Sequence, residues 1–263
     1  MNKSVLGFFS CLLLLGLILP TPLLAQLPTP AERQEELMRI WYEIREGVAA
    51  KGDREAEFDV GVANYVARGT REDPAKAAYW FGRAAERGHA DANYYLGYMY
   101  SAGKGVTVDP QKSLEHYRRA AELGHADGQY LVGSRYATGD GLAKDPAEAL
   151  KWMTRSADQG VARAQFFLGT FYENGHGVAP DSRTAVRWYR AAADQGEPLA
   201  KNRLGDLYLL GRGVNQDLEE AYLWYSLARN QERMAEVSRM LTRAQLAAVD
   251  DRVRQFSPRA SQP

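Results

Sequence analysis

The chain contains one cysteine, Cys11, in 263 residues, so no disulfide can form within it and packing alone must hold the fold. Net charge is also absent. The 33 Lys and Arg balance 33 Asp and Glu, leaving no basic field for nucleic acid or anionic lipid. No apolar run reaches the ~20 residues a membrane-spanning helix needs. The apolar stretch from Val5 to Leu19 is shorter, follows Lys3, and ends at Pro20 and Pro22. That layout is an export signal, with Ala25 as the last residue before cleavage; a retained anchor is the alternative. Removing residues 1–25 takes Lys3 and Cys11 together, leaving 32 basic residues against 33 acidic ones, net −1.

What the sequence has in abundance is a period. Trp80, His116, Trp152, Trp188 and Trp224 fall 36 residues apart. Leu96, Val132, Leu168 and Leu204 precede Gly97, Gly133, Gly169 and Gly205, and Tyr100, Tyr136, Tyr172 and Tyr208 follow. A fixed period of this length marks a solenoid of repeated supersecondary units.

One unit, read residue by residue, is a helix, a turn and a second helix. Ala92, Leu96 and Tyr100 lie four apart and form a single helical stripe. Gly103 and Gly105 turn the chain, and Asp109-Pro110 is an N-cap followed by proline at the first helical position. Leu114, Tyr117, Ala120 and Ala121 form the buried side of the second helix, which Gly124 closes. Asp73-Pro74, Asp145-Pro146, Asp181 and Asp217 repeat the cap. Gly133 and Gly169 sit where the helices should touch.

Both ends depart from the pattern. Thr29-Pro30-Ala31-Glu32 is a capping box ahead of an amphipathic stripe of Leu37, Ile40, Trp41, Ile44 and Val48. Gly52 and Ala49 keep the register of Gly88 and Ala85, so residues 26–52 are expected as an N-terminal capping helix, the second half of a truncated repeat. The array runs over 53–230. Glu232 replaces the closing glycine, and two capping helices are expected over 231–256, the second after the Thr242-to-Gln245 capping box. Residues 257–263 are expected to be a disordered tail.

The motif of Leu-Gly, Tyr, Gly-x-Gly, Asp, Trp-Tyr, Ala-Ala and Gly resembles the Sel-one-like repeat, a relative of the tetratricopeptide repeat, over residues 53–230. The first unit departs furthest, with Asn64 for the tyrosine and Ala67 for the first turn glycine. The resemblance implies an all-α, right-handed α/α superhelical solenoid of about five 36-residue helix-turn-helix repeats with atypical capping helices. It also implies an adaptor. Bacterial members are often exported and serve envelope assembly, polysaccharide secretion or signalling.

No catalytic set accompanies the repeat. The Gly-x-Gly pairs recur between two helices, without the strand a phosphate loop requires. His89 and His125, one repeat apart at ~8–10 Å, are too distant to share a zinc. Ser101-Ala102-Gly103-Lys104 matches the Ser-x-x-Lys pattern of penicillin-binding enzymes, which some cysteine-rich relatives bring to mind, but the Ser-Asp-Asn and Lys-Thr-Gly companions are missing. The expectation is therefore no enzyme, no cofactor and no metal. A cell-wall or β-lactam-acting enzyme, or a glycan-binding module, is the alternative.

Positions that the repeat does not fix carry the binding expectation. Tyr95, Leu131, Phe167 and Arg203 precede the leucine-glycine pair, and Tyr98 and Asp206 follow it. On a helical wheel they fall away from the buried stripe, toward the concave side of the solenoid. Tyr95, Tyr98, Leu131, Phe167, Arg203 and Asp206 are the candidate contacts for a protein or peptide of the envelope. The spacing leaves open whether Tyr95, Tyr98 and Phe167 line a groove or pack between repeats; Tyr94, Tyr130 and Phe166 are expected to pack.

Overall fold

The computed structural model describes residues 29–256. The expected signal over 1–25 and the tail over 257–263 lie outside them. Thirteen helices and no strand are present among the described residues, the all-α repeat the spacing predicts. The chain divides at Gly128/Gln129 into two compact units.

The first unit begins with α1 (Pro30–Ala50), whose N-terminus carries the expected capping box of Thr29 and Glu32. Then follow α2 (Arg54–Tyr65), α3 (Pro74–Glu86), α4 (Ala90–Ala102) and α5 (Pro110–Glu122). Helix α6 (Ala126–Thr138) leads into the second unit, with α7 (Pro146–Asp158), α8 (Ala162–Asn174), α9 (Ser182–Asp194), α10 (Pro198–Leu210) and α11 (Leu218–Ala228). Helices α12 (Gln231–Ser238) and α13 (Arg243–Gln255) close it, the latter opened by the Thr242–Gln245 capping box.

Each first helix packs on its second helix through a glycine and a side chain twenty residues later, an aromatic ring in four of the five units. A Cβ on Gly97 would stand 2.7 Å from Cδ1 of Tyr117, and one on Gly205 2.5 Å from Cε1 of Tyr225. Gly61 faces Phe81 and Gly169 faces Tyr189 in the same way, while Gly133 meets the more pliable Met153. These second-helix residues are buried, so the bare glycine backbone is the surface on which the ring lies. The turn between the two helices is equally uniform. Aspartates 73, 109, 145, 181 and 217 cap the second helix with their carboxylates. Their own N–H groups donate to the carbonyls of Asn64, Tyr100, Tyr136, Tyr172 and Tyr208.

Three details differ from the periodic reading. In α1, Ile44 is 46% exposed and Tyr42 is buried in its stead. The reason is Asn64, which stands where later units have tyrosine: its Nδ2 donates to Tyr42 Oη at 3.2 Å and to the Val60 carbonyl. Ala67 keeps the left-handed backbone of the glycine it replaces, with φ of 56°. Finally, the last repeat turns early, at Arg229 (φ 58°), so that Glu232 already lies inside α12.

Candidate functional site

In the first unit, Tyr95 and Tyr98 share the face of α4 opposite Asn93, Leu96 and Tyr100. Their surroundings differ. The Tyr95 ring stacks on Phe81 at 5.0 Å and meets the edge of Tyr65 at 5.8 Å. Burial pushes its phenol pKa up, with Asp91 adding to the shift and Arg68 opposing it. Tyr98 remains 44% exposed. Beside it the Lys104 ammonium sits over the Tyr65 ring at 3.9 Å and pairs with Glu72 at 3.1 Å. An exposed phenol next to a cation held on a second aromatic ring is the most accessible recognition chemistry on this face. Tyr65 and Lys104 were not singled out for binding by the sequence, because one lies in the divergent first unit and the other inside a turn.

In the second unit the remaining candidates divide into an apolar and a charged pair. Leu131 is half-buried, and Phe167 packs against Tyr130 and Phe166 with centroids 5.8 and 6.0 Å away. Phe166 packs in turn on Tyr189 at 5.6 Å. Arg203 is exposed and pairs with Asp206 at 3.7 Å. Asp206 also accepts the Tyr225 hydroxyl at 2.8 Å and faces Arg233 at 3.8 Å. Burial, and then the hydrogen bond to Asp206, raise the Tyr225 pKa, so its phenol stays a donor. Asp206 is therefore committed internally, and Arg203 is the group of this pair that can turn outward.

His89 and His125 cap helices. Nδ1 of His89 accepts the Ala92 N–H at 3.3 Å, which places the ring proton on Nε2, 3.2 Å from Glu55 Oε2. His125 repeats the arrangement: Nδ1 accepts the Gly128 N–H at 3.1 Å, and Nε2 lies 3.7 Å from Asp91 Oδ1. Each imidazole is stacked on an aromatic ring at 4.2 Å, Phe58 for His89 and Tyr94 for His125. Burial lowers the His125 pKa, with His89 acting in the same direction and Asp91 and Asp127 against it.

Buried polar residues also recur at the repeat spacing: Glu57 and Asn93 in the first unit, Gln129, Gln165 and Lys201 in the second. Gln159 Nε2 donates to Gln129 Oε1 at 2.7 Å, and Gln195 Nε2 to Gln165 Oε1 at 2.8 Å, each partner thirty residues on. Arg87 holds that place in the first unit, 3.3 Å from Glu57, with Arg83 at 2.9 Å. Neither approach has hydrogen-bond alignment, so the fully buried Glu57 meets these arginines as ion pairs rather than through directional bonds. This polar period is as regular as that of the tryptophans, but a pattern of apolar residues overlooks it.

The Ser101 hydroxyl donates to the Tyr98 carbonyl at 2.8 Å, within its own helix. The Glu72 hydrogen bond raises the Lys104 pKa, so that amine stays protonated and cannot take a serine proton. Among the described residues, no group of three or more His, Cys, Asp or Glu is placed to hold a metal ion, and no helix is long and apolar enough to cross a membrane.

The Sel1 repeat family matches the chain five times in succession, at residues 54–89, 90–125, 126–161, 162–197 and 198–232. Among solved structures, a Sel1 repeat protein from Oxalobacter formigenes is 32% identical with a TM-score of 0.64, over 69% of this chain and 75% of that one. A protective antigen present in uropathogenic Escherichia coli strains, displaying an SLR fold, is 29% identical with a TM-score of 0.57. That alignment spans 83% of this chain and 56% of the antigen. No curated protein matches the chain.

Proposed function

Because the chain belongs to the Sel1 repeat family, whose members mediate protein–protein interaction, we propose that it is an exported, non-catalytic scaffold that binds a protein or peptide of the cell envelope. In the first unit binding runs through Tyr98 and Lys104, and in the second through Arg203. The observation that carries this reading is Tyr98, a large aromatic left 44% exposed while its neighbour Tyr95 packs. An exposed tyrosine beside a cation supplies contact area and a polar tip at low entropic cost, the usual make-up of an interface anchor. Export is supported by the character of residues 1–25, and a role in envelope assembly, polysaccharide secretion or signalling rests on the family resemblance.

Two measurements test the proposal. N-terminal sequencing of the protein from a periplasmic fraction should begin at Gln26; a chain retained in the cytoplasm with Met1 intact contradicts export. In-cell crosslinking followed by mass spectrometry should capture a defined envelope protein with the wild type and lose it with Tyr98→Ala. Undiminished capture by the variant contradicts the assigned surface.

A further inference from the structure

We propose that the first unit carries a second binding site, a pocket between α3 and α5 that takes the guanidinium of an arginine side chain on a partner peptide. The pocket is an open cleft of about 1050 Å³ on the side of α4 away from Tyr98. Two departures from the repeat open it. His116 stands where the other units place an indole, and Gly82 on α3 has only open space where a side chain would project.

The second unit shows what belongs there. Arg190 on α9 is the register equivalent of Gly82, three repeats on, and Tyr208 on α10 is the equivalent of Tyr100. Arg190 hydrogen-bonds the Tyr208 hydroxyl, and its guanidinium carbon lies 5.8 Å from the ring centroid. In the first unit the arginine is missing; the Lys112 ammonium lies 5.3 Å from the Tyr100 ring centroid, but among the described residues the Tyr100 hydroxyl on the pocket wall makes no hydrogen bond. A guanidinium from outside would complete an arrangement that this fold already builds from within.

His116 and the glutamates of the wall can accept hydrogen bonds. Asn93 Nδ2 donates to the His89 carbonyl at 3.0 Å, which turns Oδ1 toward His116 Nδ1 at 3.1 Å. Nδ1 therefore carries the proton, and Nε2 keeps its lone pair. The His116 ring is held flat on Tyr100 at 5.6 Å and 4°. Of the charges lining the pocket, Arg119 is held by Glu122 at 3.3 Å, leaving the carboxylates of Glu86 and Glu115 against Arg118. The exposed ring of Tyr79 flanks the opening, a surface on which a planar cation stacks.

The test uses the full chain and the tripeptide acetyl-Gly-Arg-Gly-amide, observed by saturation-transfer NMR at the arginine methylenes. Saturable binding is expected, with a Kd on the order of 1 mM for one side chain in a preformed pocket. The lysine tripeptide should bind about tenfold more weakly, since an ammonium lacks the planar donor fork. Gly82→Arg, which supplies the arginine internally, and His116→Trp, which restores the indole, should each abolish binding while circular dichroism shows a folded chain. No saturable transfer with wild type overturns the proposal. So does undiminished binding by folded Gly82→Arg protein, or tighter binding of the tryptophan tripeptide.

Discussion

At the scale of the residue, the contact that defines the fold is a glycine under a ring. Gly169 has no freedom to grow, because Tyr189 above it is fully buried and its hydroxyl is tied to Glu173 at 2.6 Å. Gly169→Val should therefore cost ~1–3 kcal/mol by overpacking, read as a lower midpoint in denaturant unfolding; a wild-type midpoint contradicts the contact. The position was legible in the sequence from its place after the leucine, but the ring it meets was not, since nothing in the spacing names a partner twenty residues on. Histidine chemistry was less legible still. His125 is neutral when folded because burial disfavours its cation, and protonation would also destroy the lone pair that caps Gly128. A lowered folded pKa means the unfolded chain takes up the proton first as pH falls. This stability is thus fully present above the ordinary value of about 6.5 and is lost as pH drops below it. The melting temperature should fall between pH 7 and pH 5, and His125→Asn, which retains a capping oxygen, should flatten part of that slope. An unchanged slope contradicts the cap.

At the scale of the element, the caps were the most legible feature, because aspartate before a helix has one obvious use. Asp145 accepts the N–H groups of Ala147 and Glu148 at 2.9 and 3.1 Å. Asp145→Ala should cost about 1 kcal/mol in thermal unfolding. Glycine inside a helix without a contact has the opposite expectation. A Cβ at Gly82 meets nothing, so Gly82→Ala should stabilise by roughly 0.5–1 kcal/mol, and a loss of stability would show that α3 needs the bare backbone there. The ends of the array were harder to read. The choice of Tyr42 over Ile44 depends on Asn64, twenty-two residues away, and the early turn at Arg229 rests on a left-handed residue that glycine-based reasoning does not anticipate.

At the scale of the whole molecule, periodicity carried the fold, since every unit repeats one grammar of stripe, turn and cap. Surface was not readable in the same way. Tyr95 and Tyr98 are equivalent on a helical wheel, yet the first stacks on Phe81 and the second faces outward, a difference set by rings on neighbouring helices. Asp206, likewise, is drawn inward by Tyr225 and Arg233. The most direct test of the scaffold account places a photocrosslinking amino acid at position 98, with the exposed position 108 as control, in cells producing the full chain. The account predicts an adduct with one envelope protein from position 98 and none from 108. Equal, nonspecific labelling from both positions, with the protein abundant and folded, would contradict it.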